Sequence, residues 1–465
     1  MFRPVTRALT ALIPLAAAAV FSPVGTSAHA ATNSIDFRKR LQPIDGFGFA
    51  TAFQRATLFQ QLDPQSEQQV IDMLLNPRTG AGTSIIRLGI GSSTDSVYDH
   101  MPTIEPTDPG GPNATPVYTW DGNDGGQVWF AKLAKAYGVH RFYADPWSAP
   151  GFMKDNGTDS NGGTLCGLAG TNCASGDWTK AYANYLVQYT KFYKQEGIRI
   201  TDLGFANEPD WTATYASMRF TPEQAAQFVK VLGPVAARAH LKLACCDSFG
   251  WDEAKAYTAA IESDPAAARW VTTYTGHSYA SQPESPQPTN KRTWMSEWNP
   301  NGSTWNENWD DGSGYDGFTI AQNINDVFTK ANGSGYIYWL AASKGATRAL
   351  LQIDGTTYHV SKRFWAYAAY SRFIRPNAVR VPVNGGDPAL EVSAFRNADG
   401  SRVIEVLNTA TTPVTTDYAV GAGGHARTYL TDSSNSLTET GTTAVKHGEL
   451  SATFAPRSLT TIVIR

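Results

Sequence analysis

The chain has 465 residues, 42% of them hydrophobic and 17% charged, which is the balance of a globular protein and excludes a disordered one. That length accommodates one large domain with a small companion. The formal net charge of −3 gives no basis for a nucleic acid or an anionic membrane as partner.

Read from the amino end, Arg3 and Arg7 precede an apolar stretch from Ala8 to Phe21, and Ala28-His29-Ala30 is a small-x-small cleavage site. Residues 1–30 therefore predict a secretory signal peptide. As a membrane span the run is short and is interrupted by Pro14. The expectation is a soluble, exported, extracellular protein. Residues 31–41 follow, and Ser34–Leu41 is placed to add a strand to a domain at the other end of the chain.

From residue 42 to 375, short apolar or β-branched runs alternate with longer helical patterns. Eight strands are predicted: Pro43–Phe49, Ser84–Ile90, His140–Trp147, Ile200–Asn207, Lys242–Ser248, Val271–Ser278, Arg292–Glu297 and Gly335–Leu340. Their near-continuous apolar character suits parallel strands covered on both faces. Asp63-Pro64 is a helix start. Thr221-Pro222-Glu223-Gln224 is a capping box, and Tyr182, Tyr185, Leu186, Tyr189 and Phe192 share one helical face that Gly197 terminates. Eightfold strand–helix alternation predicts an α/β fold, a (β/α)8 TIM barrel. The rival doubly wound sheet lacks a Gly-rich dinucleotide fingerprint. From residue 376 to 465 the helical period disappears. Val379–Val383, Leu390–Ala394, Val403–Leu407, Asp417–Val420, Ala426–Leu430, Leu450–Phe454 and Thr460–Ile464 predict a β-sandwich side domain.

The four cysteines form two pairs. Cys166 and Cys173 share a Gly-rich loop, where export permits a disulfide. Cys245 and Cys246 are adjacent and are expected as buried free thiols. Neither pair has zinc-ligand spacing. The Asp310-Asp311 pair reads as a solvated loop rather than a calcium site. Asn-x-Ser/Thr sequences stand at Asn113, Asn156, Asn301 and Asn332.

Active sites of such barrels sit at the C-terminal ends of the strands. Glu208 ends the fourth predicted strand and Glu297 the seventh, positions that face each other across an eight-stranded barrel. A lone strand-end Glu reads as solvated or ion-paired. Two of them, each close to a Trp and one preceded by Asn207, read as the carboxylate pair of a glycoside hydrolase, ~5–5.5 Å apart if the reaction retains configuration. Aromatic residues make up 12% of the chain, with 13 Trp and 20 Tyr. Some would stack on sugar rings, and most would fill the core.

Asn207-Glu208-Pro209, Trp294-Met295-Ser296-Glu297-Trp298 and Ala144-Asp145-Pro146-Trp147-Ser148-Ala149-Pro150 resemble the corresponding strings of glycoside hydrolase family 30. That resemblance covers essentially the whole chain after the leader. It implies retaining β-glycosidase activity, with Glu208 as acid/base, Glu297 as nucleophile and Asn207 bonded to the sugar hydroxyl beside the anomeric carbon. It also implies a sandwich built from both chain ends. By the same resemblance Arg87 bonds the nucleophile, the alternative being an ordinary ion pair. Trp147 and Trp339 stack on sugar, the alternative being core packing. Tyr279 or His277 touches the nucleophile. The strings at residues 45–56, 87–93, 147–151, 166–178 and 361–363 are similar to the mainly fungal xylanase branch. There Arg55 would grip the glucuronic acid branch of xylan, the alternative being a structural salt bridge.

The expected activity is a retaining endo-β-1,4-xylanase acting on xylan or glucuronoxylan. An endo-β-1,6-galactanase or glucosylceramidase-like β-glycosidase is the alternative, and a non-catalytic carbohydrate-binding protein is the second. The partner is a polysaccharide. No cofactor or metal is expected, and the protein is expected to be a monomer.

Overall fold

The computed structural model describes residues 33–300, 304–345, 348–421 and 423–465. The predicted leader and Asn301 lie outside them. A short strand β1 (Ser34–Ile35) precedes eight parallel strands: β2 (Gly46–Ala50), β3 (Ile85–Ile90), β4 (Arg141–Pro146), β5 (Asp202–Leu203), β6 (Lys242–Ser248), β7 (Val271–His277), β8 (Arg292–Glu297) and β9 (Gly335–Leu340). They close into a barrel in chain order, with β9 paired to β2. A ribbon follows, β10 (Ala342–Ser343), β11 (Leu351–Asp354) and β12 (Thr357–Val360). The helices are α1 (Pro64–Leu75), α2 (Gln127–Ala136), α3 (Thr179–Gln195), α4 (Pro222–Arg238), α5 (Trp251–Glu262), α6 (Pro265–Ala268), α7 (Gly317–Thr329) and α8 (Lys362–Phe373). None of those described is long and apolar enough to cross a membrane.

Local chemistry explains the helix starts. The Asp63 side chain accepts from the N–H groups of Gln65 and Ser66, with Pro64 at the first helical position. Thr221 and Gln224 bond each other's backbone reciprocally at the start of α4.

Inside the barrel, Ile85, Tyr143, Ala244, Trp294 and Ile337 form one apolar layer. Side chains alternate along a strand, so the same inward face recurs two residues later. Those later positions include Arg87, Asp145, Ser296 and Trp339. The apolar plug thus forms the floor on which the polar site is built.

The second domain contains β13 (Val379–Val381), β14 (Val383–Asn384), β15 (Leu390–Arg396), β16 (Arg402–Asn408), β17 (Val414–Ala419), β18 (Gly424–Thr431), β19 (Thr438–Val445), β20 (Glu449–Phe454) and β21 (Ser458–Ile464). One sheet runs β14-β1-β17-β20 and the other β13-β15-β16-β21-β18-β19. A separate apolar core that includes Ile404, Tyr418, Phe454 and Ile462 fills the sandwich. Strand β1 joins the smaller sheet, antiparallel to β14 and parallel to β17.

Cys166 and Cys173 are disulfide-bonded, with Cα atoms 5.7 Å apart. The expectation of two free thiols at Cys245 and Cys246 is corrected, because they are bonded to each other. Strand alternation would send the two side chains to opposite faces. Here the peptide bond between them is cis and the Cα atoms lie 3.0 Å apart.

Candidate active site

Arg87 is the centre of the buried polar layer. It is fully buried, and its guanidinium donates to four side chains. Nη1 bonds Oε2 of Glu297, while Nη2 bonds Asp145 Oδ2 at 2.9 Å, Asn207 Oδ1 at 2.6 Å and Asp247 Oδ2 at 3.4 Å. The fork of fixed donors lets one arginine hold groups from four strands or strand ends in register. Asp247 also accepts from Tyr143 and Ser296 through their hydroxyls.

Glu297 arrives by a local irregularity. Gly276 pairs with Met295 but His277 pairs with Glu297, so Ser296 is an extra residue in β8. Such a bulge re-aims the side chains around it. The Tyr279 hydroxyl donates to Glu297 Oε1 at 2.8 Å and to Asn299 Oδ1 at 3.1 Å. Both oxygens of the carboxylate are therefore held.

Glu208 stands in the turn after β5, with φ of 47°. A non-glycine residue in this left-handed region costs on the order of 1–3 kcal/mol. Its backbone N–H donates to Asp247 O at 2.9 Å. His277 Nδ1 lies 3.0 Å from Glu208 Oε1, whereas its Nε2 is 4.0 Å from Glu297 Oε2. The two residues that sequence left unranked thus divide the site between them: Tyr279 contacts Glu297 and His277 contacts Glu208.

A carboxylate oxygen of Glu208, one of Glu297 and a ring nitrogen of His277 lie within 4.8 Å of one another. These three could approach a metal ion. Arg87 and Tyr279 already occupy Glu297, however, and a cation would sit beside the guanidinium.

The charge states follow from burial and neighbours. Burial and the charge of Glu297 push Glu208 well above the usual carboxylate range, against Arg87. Burial also raises Glu297, opposed by Arg87 and by the bond from Tyr279. Asp145 is raised well above its ordinary value by burial and by Asp247. Burial also raises Asp247, but Arg87, His277 and hydrogen bonds from Asp145 and Ser296 outweigh it and leave it lowered to about 2. Burial lowers His277 to about 3, so the imidazole is neutral. Glu208 is the carboxyl pushed further toward its protonated form, and Glu297 is the one at which Arg87 and Tyr279 favour the anion against burial.

These groups open into a cleft of about 490 Å³. Trp147 is only 2% exposed and lies over the Arg87 guanidinium at 4.7 Å, so it packs the layer more than it offers a face. Trp339 is half-buried and meets Phe53 edge-on at 6.0 Å. Trp211 stacks on Phe249 at 4.6 Å, and Phe249 on Tyr279 at 5.4 Å. Trp211 and Tyr215 line the cleft while remaining 45% and 48% exposed. Arg55 also lines it, with Nη1 bonded to Asp99 and to Phe53 O at 2.8 Å, and Nε donating to Ser343 Oγ at 3.1 Å. Its guanidinium is in a salt bridge.

Sequence reasoning did not single out Asp145 and Asp247, although each is an acid at the end of an apolar strand, the signal that marked the two glutamates. Trp211 lies in the string that contains Glu208. Tyr215, Phe249 and Asn299 come from loops and carried no signal.

A model of the glycosyl hydrolase family 30 TIM-barrel domain matches residues 125–303, and one of the family's β-sandwich domain matches residues 377–462. The chain is 26% identical over 404 residues to an endo-1,6-β-D-glucanase of Aspergillus fumigatus, covering 79% of both chains. It is 26% identical over 356 residues to a glucuronoxylanase of Bacillus subtilis, covering 73% of this chain and 77% of that one. Among solved structures, the catalytic domain of xylanase C from Talaromyces cellulolyticus superposes with a TM-score of 0.86 at 38% identity, covering 93% of this chain and 100% of that one.

Proposed function

The chain belongs to glycosyl hydrolase family 30 and is a glycosidase, and from that premise we propose that it is a retaining endo-β-1,4-xylanase acting on xylan or glucuronoxylan. The observation that carries the mechanism is the approach of the Glu208 and Glu297 oxygens to within 4.8 Å. Inverting enzymes hold their carboxyls about 6.5–9.5 Å apart to admit a water, whereas retaining ones hold them about 5–5.5 Å apart. The 38% identity to a family 30 xylanase of known structure supports xylan as substrate, while a glucuronoxylanase and an endo-1,6-β-glucanase are equally similar at 26%. Half-exposed Trp211 and Tyr215 in the cleft suit a polymer that extends beyond the cleaved bond.

Glu297 Oε attacks the anomeric carbon while Glu208 gives its proton to the departing glycosidic oxygen. The product is a glycosyl ester of Glu297. Forming that ester removes the negative charge that had raised Glu208, so Glu208 becomes the stronger acid and its carboxylate can serve as base. Glu208 then takes a proton from water, the resulting hydroxide attacks the anomeric carbon, and Glu297 leaves as carboxylate. Configuration is retained after two inversions. Asn207, held by Arg87, is in place to bond the hydroxyl next to the reacting carbon. Arg55 would meet a glucuronate carboxylate only by sharing its fork with Asp99. The protein is read as exported, which suits a polymeric substrate.

Proton NMR of the first products from glucuronoxylan tests the reading, with linear arabinoxylan, β-1,6-galactan and β-1,6-glucan in parallel. Xylo-oligosaccharides whose new reducing ends appear first as the β anomer are expected. Initial α anomer would sink the retaining mechanism. Release from a β-1,6-glycan alone would replace the substrate and leave the two-carboxylate chemistry standing.

A further inference from the structure

A second pocket, of about 210 Å³, shares no lining residue with the cleft. It lies between the loop that leaves β3 and the first turns of α3. Loops that follow barrel strands lie on the C-terminal face, so the pocket and the cleft are on the same side of the barrel. Pro112 and Tyr118 offer carbon faces in it, buried Trp178 backs it, and Lys180 and Asn184, one helical turn apart, offer polar groups. The Cys166–Cys173 loop braces this wall, since the Trp178 N–H donates to Cys166 O at 2.9 Å.

Glu105 is the informative residue. It lines the pocket and is 2% exposed. Its backbone N–H donates to Thr103 Oγ1 at 3.1 Å, but its carboxyl has no hydrogen-bond or ion-pair partner among the described residues. Burial and the like charge of Asp108 raise it to about 7. The carboxyl meets the pocket rather than a protein partner, so its hydrogen-bonding capacity is open to whatever enters there.

The chemistry narrows the ligand. A divalent cation takes six or more oxygens, several of them carboxylate; here there is one buried carboxyl, with a lysine at the rim. A half-protonated carboxyl can donate and accept, as a hydroxyl partner requires, and the flat carbon faces suit the C–H faces of a sugar ring. The volume falls below the roughly 300–1,000 Å³ of sites for drug-sized ligands, which is room for one unit. We propose that this pocket is a second, non-catalytic saccharide site that holds one sugar unit of the polysaccharide cleaved in the cleft, with Glu105 as its hydrogen-bonding anchor. The proposal rests on the glycosidase reading above.

The test is calorimetric titration of the full chain carrying Glu297→Gln, with xylohexaose and separately with a β-1,6-linked gluco-oligosaccharide. The protein is made in a host that adds no N-glycan, because Asn113 of an Asn-Ala-Thr sequence also lines the pocket. Two sites are expected with one of the sugars. Adding Glu105→Leu or Tyr118→Ala should weaken only the second, by about tenfold or more. In the otherwise unmodified enzyme, Glu105→Leu should leave turnover of an aryl xyloside unchanged and raise KM on polymeric xylan several-fold. Its melting temperature should equal or exceed the parent's, because an unpaired acid is removed. A stoichiometry of one with both sugars, or a second site indifferent to both variants, overturns the pocket. Two-site binding of the β-1,6 sugar with none of xylohexaose would overturn the xylan reading and uphold the pocket.

Discussion

Arg87 faces more acid than it can neutralise. Glu297, Asp145 and Asp247 all reach it, and burial with like-charge neighbours favours the protonated forms of Asp145 and Glu208. Tyr279 donates a charge-assisted hydrogen bond to the Glu297 anion. Such a bond is worth about 1.5–3 kcal/mol and stabilises Glu297 as it regains charge on leaving the glycosyl ester, so Tyr279→Phe should lower kcat by about 10- to 100-fold. Losing a donor to the anion raises the pKa of Glu297. The acidic limb of the kcat/KM profile should therefore move to higher pH, with little change in melting temperature. A profile shifted the other way would refute this role.

Glu208 and Glu297 were legible in the sequence because a charge ending an apolar run needs a reason, whereas Asn207 and Arg87 were reached through the family resemblance. The raised pKa of Asp145 was not legible, because a pKa depends on neighbours supplied by other strands. The Cys245–Cys246 bond was likewise hidden, since strand alternation sends adjacent side chains to opposite faces.

The elements that read correctly are those whose own residues determine them. The Thr221–Gln224 box fixes the start of α4 on the outer ring, between α3 and α5. Thr221→Ala should cost about 1 kcal/mol in denaturant unfolding and leave kcat unchanged; a change in kcat would mean that α4 couples to the site. Strand β5 is shorter than its apolar run predicts. At Gly204 a Cβ would lie 2.0 Å from Asp145 Oδ1, so the chain passes close over the polar layer. The N–H groups of Thr201, Gly204 and Asn207 still bond the β4 carbonyls of Phe142, Ala144 and Pro146. Strand β19 was missed because seven of its eight residues are exposed and it shows no apolar alternation. Its place is set by pairing with β18. The ribbon β10–β12 escaped because its strands are only two to four residues long.

At the scale of the molecule, one face of the sandwich joins the barrel's core, beside the separate core within the sandwich. Phe395, Val403, Leu407 and Leu459 of the sandwich belong to the cluster that contains Phe328 and Tyr367 of the barrel. Phe328 meets Phe395 at 5.7 Å. Arg457 bridges to Asp310 through two bonds and accepts from Trp309 Nε1 at its carbonyl. Calorimetry should show one cooperative transition, with calorimetric and van't Hoff enthalpies in agreement. A barrel cut after residue 375 should not fold into a soluble, active protein. Two separable transitions, or an active truncated barrel, would show the interface to be dispensable.

The insertion of β1 between β14 and β17 bears on the order of events during synthesis. Asn33 bonds Thr416, 383 positions later, so the first strand emerges from the ribosome long before its neighbours exist. Contacts this distant in sequence form late, after the chain has lost most of its freedom to the nearer ones. The barrel strands can zip up in succession as they appear, while β1 trails as a loose thread. Synthesis halted before residue 383 would leave that thread with nothing to be sewn into, and the seam between the two ends of the molecule would stay open.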